Sequence, residues 1–195
     1  MGLEYVNRRG DRYYILQGVT KTGKPKYYCS RKPEGVPVDE LPDDFEVYEN
    51  PGTKMVSVRK KIPSQILPSE CEFLKQEMTL RAKLEFFMMD VRGDSVVVLL
   101  PDIDPVASVQ MLERLLGPFA SRLGTHDDWT VRNVNYSPMM RLTLEDAAKR
   151  LFTIERWCFR IFADGWITLD GNEPLDVLTR KYFKHLGKES FYDLI

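Results

Sequence analysis

The chain has 195 residues, 43% of them hydrophobic, with ten Phe, nine Tyr and three Trp, which is enough apolar and aromatic surface to exclude disorder as its dominant state. A net charge of -1 excludes a polycation that coats nucleic acid along its whole length. The longest apolar run, Val96 to Leu100, is too short to cross a bilayer.

The three cysteines, Cys29, Cys71 and Cys158, are far apart and odd in number, which fits free thiols in a reducing compartment and offers no CxxC metal or redox pair. The start MGLEYVNRRGDR is polar, unlike a secretory signal, so a cytoplasmic location is expected. Charge is uneven along the chain. Residues 1–34 carry eight basic and three acidic groups, whereas 35–50 carry six acidic and none basic.

In chain order, Tyr13–Gln17 and Lys26–Ser30 flank a turn-like Thr20–Pro25 and predict a β-hairpin. Residues 33–44, with three Pro and five acidic groups, predict an exposed loop. Phe45–Glu49 and Val56–Arg59 alternate around Asn50-Pro51-Gly52 and predict a second hairpin. The prolines of Ile62–Pro68 mark a connector. It divides the chain into a basic, Tyr-rich β-hairpin module, 1–62, and an α+β domain, 63–195, whose three helices cover about 70–81, 105–116 and 173–186.

Ser69-Glu70-Cys71-Glu72 has capping-box spacing and predicts the start of the first helix. Leu84–Val91 and Ser95–Leu100 flank Arg92-Gly93-Asp94 as a hairpin. The all-apolar second arm predicts a strand covered on both faces, central in its sheet. Asp104 and Pro105 open a helix with Val109, Leu112, Leu115 and Leu116 as its stripe, and Gly117-Pro118 ends it. Residues 139–162 read as two strands joined around Asp146–Lys149, although Leu144, Ala147, Ala148, Leu151, Ile154 and Cys158 also share a helical face. Trp166–Leu169 predicts a further strand. Asn172 as cap, Pro174 in the first turn and Gly187 as stop frame the last helix, and the apolar tail Ser190–Ile195 is expected to pack back. The fold class is therefore α+β, a β-hairpin-rich N-terminal module followed by a helix-packed antiparallel sheet.

Candidate chemistry is sparse. Gly18 to Lys24 fits GxxxxGK, yet Pro25 stands where the phosphate loop needs a magnesium-binding hydroxyl, and a strand rather than a helix follows. Leu142-Thr143-Leu144-Glu145-Asp146-Ala147-Ala148-Lys149-Arg150-Leu151 resembles the opening of small excisionase-like helix-turn-helix domains. That resemblance implies a DNA-reading helix downstream, but Phe152-Thr153-Ile154-Glu155 stands where the family's Gly-x-Ser turn would be. His126-Asp127-Asp128 reads as a polar loop, His185 as a helix-end cation and Cys158 as a buried thiol. No catalytic, cofactor or metal residue is assigned.

The leading expectation is a non-catalytic protein–protein interaction or accessory subunit, with a protein partner or homo-oligomer engaged by Arg156, Trp157, Arg160 and Trp166. The alternative is nucleic-acid binding by the basic hairpins, using Arg12, Lys21, Lys24, Lys26, Tyr28, Arg31, Lys32, Arg59 and Lys60. A third class, an enzyme with an unrecognised carboxylate or tyrosine site, stays open on sequence alone.

Overall fold

A computed structural model describes residues 2–117, 126–158 and 165–194. Among them the protein is α+β, with eleven strands in three antiparallel sheets. The chain forms two compact units, residues 1–61 with 102–135, and residues 62–101 with 136–195.

In the first unit, β2 (Arg12–Val19) is the spine. It pairs along one edge with β3 (Pro25–Ser30), and along the other with β1 (Glu4–Val6) and β4 (Val36–Pro37). Ile15 and Leu16 are both buried although they point to opposite faces, so the sheet is covered on both sides. On one face, β4 and its lead-in close over Leu16. Gly35 has φ +145°, and a Cβ there would meet the Tyr28 hydroxyl at 3.0 Å, so the close approach requires glycine. On the other, Tyr27 stacks edge-on against Phe45 at 5.0 Å between ring centres. Phe45 opens the hairpin of β5 (Phe45–Glu49) and β6 (Val56–Lys60). Its turn is set by Asn50, whose Oδ1 accepts from the Gly52 and Thr53 amides at 2.9 and 2.8 Å.

In the second unit the sheet runs β11–β10–β9–β8–β7. The strands are β7 (Met88–Arg92), β8 (Ser95–Pro101), β9 (Tyr136–Asp146), β10 (Leu151–Cys158) and β11 (Gly165–Glu173). Over residues 139–158 the ambiguity resolves as strands, because β9 and β10 form a hairpin through residues 147–150, while residues 159–162 lie outside the described residues. Residues 142–151 therefore form no helix, and the likeness to a helix-turn-helix opening has no structural counterpart. Period-two alternation is the reason: Leu142, Leu144, Phe152 and Ile154 are all buried, with half-buried Thr143 and Thr153 between them. The apolar β8 is an interior strand, and the middle position belongs to β9.

Helix α1 (Pro68–Glu77) starts earlier than expected. Pro68 suits the first helical position, so Glu70 rather than Glu72 reaches back, accepting from the Leu67 amide at 2.8 Å. A π-helical turn, Met78–Ala82, extends it. Asn172 does not cap the last helix. It sits in β11 with φ +61°, and α4 (Leu175–Tyr182) begins after Pro174. Leu74, Met78, Leu175, Leu178, Phe183 and Phe191 meet Val96, Val98, Leu142 and Ile154 in one core, so these helices and the tail cover one face of the sheet.

The segment between β8 and β9 belongs to the first unit. Pro101 pairs with Tyr136 at the strand ends, and the next residues inward close a neck, the Asp102 amide donating to the Asn135 carbonyl at 3.0 Å. A division at 62 and 63 cannot express this, because it follows sequence order and the excursion starts and ends on neighbouring strands. Within it, α2 (Pro105–Leu116) is capped by Asp104, whose Oδ1 accepts from the Val106 and Ala107 amides at 2.9 and 3.1 Å. Helix α3 (His126–Asn133) replaces the loop expected at His126-Asp127-Asp128. Its sequence carries no apolar period that would have signalled a helix.

Candidate interaction surfaces

The GxxxxGK stretch is the tip of the β2–β3 hairpin. The Thr20 amide donates to the Lys24 carbonyl at 2.8 Å, the Gly23 amide to the Thr20 carbonyl at 2.9 Å, and the Lys24 amide to Thr20 Oγ1 at 3.0 Å. A phosphate cradle needs free amides at a helix start. Here these three amides are spent on the turn and a strand follows.

The basic residues separate by type. Arg8 Nε donates to Glu49 Oε1 at 2.6 Å, and Glu49 also accepts from the Arg8 amide and the Tyr5 hydroxyl. Arg12 pairs with Glu4 at 2.9 Å and Arg31 with Asp11 at 2.8 Å. Arg59 pairs with Glu46 at 2.7 Å and lies 3.5 Å from the Tyr48 ring centre. These arginines hold the module together. By contrast, the ammonium groups of Lys21, Lys24, Lys26, Lys32 and Lys60 are exposed and have no ion pair or hydrogen bond among the described residues. Tyr28 is half-buried, its ring edge 3.4 Å from where a Gly18 Cβ would stand. Lys60 lies in the separate β5–β6 hairpin.

The proposed partner-binding set is divided by strand alternation. Trp157 and Trp166 are cross-strand partners with centroids 5.1 Å apart in edge-on geometry. Arg141 joins them, 4.6 Å from the Trp166 ring centre, with Nε donating to Glu155 Oε2 at 2.5 Å. Arg156, the neighbour of Trp157, points to the helix-covered face, where it is buried and donates from Nε to the Leu194 carbonyl at 2.5 Å. Arg160 lies outside the described residues. Arg141 was thus the missed member. Its sequence signal is the two-residue period of β9, which puts it in register with Glu155.

Several large apolar side chains are exposed on α2. Val109 is buried and Leu112 half-buried, but Met111 is 63% and Leu115 70% exposed. They are four residues apart and form one strip beside the buried stripe. Val106 and Leu116 on the same helix are also exposed. Leu115, expected to face the core, is the most exposed of them.

Groups suited to catalysis are poorly placed. Burial pushes the Cys29 thiol up to about 11 and raises Cys71 as well, away from the thiolate form. His185 Nδ1 lies 2.9 Å from Ser190 Oγ, a pairing the sequence reading missed. Burial, with Lys184 and Lys188 nearby, lowers the imidazole pKa, and no carboxylate orients the ring among the described residues. Among the described residues no group of three His, Cys, Asp or Glu could hold a metal, and no helix is long and apolar enough to cross a membrane. The chain matches no family model, no curated protein and no solved structure.

Proposed function

We propose that the protein is a non-catalytic interaction module that docks another protein chain on α2. The observation that carries this reading is the exposed Met111–Leu115 strip. Single exposed apolar side chains are ordinary on protein surfaces, but Met111 and Leu115 at i and i+4 put two of them together on one helical face, which suits an interaction surface. Leaving one Leu in water forgoes about 1.5–3 kcal/mol of burial. A partner helix packing at positions i and i+4 would recover it. Gln110 and Arg114 beside the strip supply the polar border such interfaces carry.

The test is affinity capture of tagged full-length protein beside Met111→Glu/Leu115→Glu, with light scattering on the purified chain to separate self-association from a different partner. The reading expects a stoichiometric partner, or a dimer, that the double variant loses while its circular dichroism is unchanged. A monomeric chain with no stoichiometric partner, or a partner retained by the double variant, overturns it.

A further inference from the structure

We infer that the β2–β3 hairpin is a second, independent binding surface, and that its ligand is single-stranded nucleic acid. Residues 12–32 carry six cations and no carboxylate. The structure shows which of the six are committed. Arg12 and Arg31 are paired with carboxylates from β1 and the turn before β2, whereas Lys21, Lys24, Lys26 and Lys32 project into solvent without partners among the described residues. Lys21, Lys24 and Lys26 gather at the tip and form a positive patch, with Lys32 beyond the other end of β3, although the chain as a whole is neutral to within one charge.

The aromatic neighbours set the class of anion. Cross-strand register puts Lys26 opposite Gly18 and Tyr28 opposite Leu16, so Lys26 and Tyr28 share a face two residues apart. That places a cation roughly 7 Å from an aromatic ring along the strand. One edge of the half-buried Tyr28 ring lies over Gly18, which has no side chain to cover it, while its hydroxyl end packs toward Gly35. A strand face with an ammonium beside a half-buried tyrosine can neutralise a phosphate and stack the adjoining base, which a duplex with paired, stacked bases does not offer. The tip is held by its own hydrogen bonds and by Gly23 at φ +78°, so the lysines sit on a preformed scaffold.

The experiment is fluorescence anisotropy of labelled oligouridylate with the full-length protein across a salt series. Duplex of equal length, inorganic polyphosphate and polyglutamate serve as competitors. Micromolar binding is expected. Lys21→Glu/Lys24→Glu/Lys26→Glu should weaken it about tenfold or more and flatten the salt slope by about two, given roughly 0.7 per phosphate neutralised. The same charge change at Lys83, Lys149 and Lys184 in the other unit should have little effect. Tyr28→Leu should weaken oligouridylate severalfold and leave polyphosphate unchanged. No binding at low salt, or equal loss in both triple variants, overturns the inference. So does tighter duplex binding, equal competition by polyglutamate, or indifference of oligouridylate to Tyr28→Leu.

Discussion

Lys54 donates from Nζ to Asn135 Oδ1 at 2.8 Å, joining residues 81 apart in sequence. Lys54 is 1% exposed, at φ +59° in the β5–β6 turn, and its carbonyl accepts from buried Asn7 Nδ2 at 2.9 Å. The bond therefore ties the hairpin to the neck of the excursion that carries α2. Asn135→Ala leaves a buried ammonium without its acceptor and should cost about 2–4 kcal/mol in urea unfolding. Lys54→Met removes charge and need together and should cost less than Asn135→Ala. The reverse order would show that the ammonium is not held by this bond.

The same lysine makes a prediction in pH. Burial, reinforced by Arg9 and Arg8 and opposed by Glu49 and Asp102, lowers its pKa below the ordinary 10.5. The folded state releases this proton at a lower pH than the unfolded chain does. Between the two pKa values the unfolded state binds more protons, so stability rises with pH. Measured against Lys54→Met, wild type should gain stability as pH climbs toward 10.5. A constant difference between them across that window would remove the linkage.

Asp170 offers the acid counterpart in the other unit. It accepts from Lys181 Nζ at 2.8 Å and from the Tyr182 hydroxyl at 3.2 Å. The Lys181 bond chiefly lowers its pKa below 3.8, against a smaller opposing effect of burial. A carboxylate depressed in the folded state contributes stability that is present above 3.8 and is lost as pH falls through the folded pKa. Asp170→Asn should melt lower than wild type at neutral pH, and the two melting curves should converge below pH 3.8. Curves that stay equally far apart well below pH 3.8 would show that the Lys181 contact is not the source of the difference.

The legible parts of the fold were those where a local rule and the tertiary context agree. Asp104 and Pro105 mark the start of α2 in sequence and in structure, and the alternation in β5 and β6 places their turn at Asn50. Residues 139–162 were ambiguous because Leu144, Leu151 and Ile154 fall on one helical face while Leu142 and Leu144 alternate with Arg141 and Thr143. What decides is pairing of Leu142 with both Val96 and Ile154, a contact that no single segment encodes. The surface residues were less legible. The sequence shows eight cations in the first 34 residues, but only three-dimensional neighbours reveal that Arg31 is tied to Asp11 while Lys26 has no partner among the described residues. Leu115 fits the apolar stripe of Val109, Leu112 and Leu116 in sequence yet is exposed, since exposure depends on what the rest of the chain leaves uncovered.

The π-helical turn after α1 ends at Lys83, an exposed residue with φ +58°. Left-handed backbone costs an L-residue about 1 kcal/mol or more, and glycine occupies it freely. Lys83→Gly should therefore stabilise the chain by about 0.5–1 kcal/mol, read as a raised thermal midpoint. Lys83→Ala keeps the Cβ and should not. Equal midpoints for the two variants would mean the backbone strain is relieved some other way.

The C-terminal tail is a structural strap. Phe191 is fully buried in the main core, and the Leu194 carbonyl accepts from Arg156, itself nearly buried on β10. Phe191→Ala should cost about 3–5 kcal/mol, the range for a large core aromatic. Ending the chain after Tyr192 keeps that ring but strips Arg156 of its acceptor, which should cost about 1.5–3 kcal/mol. If the second loss comes from the guanidinium, placing Arg156→Met in the shortened chain should restore most of it, because an apolar side chain needs no acceptor. Failure of Arg156→Met to restore stability, with Phe191 still buried by fluorescence quenching, would assign the loss to packing of Leu194 instead.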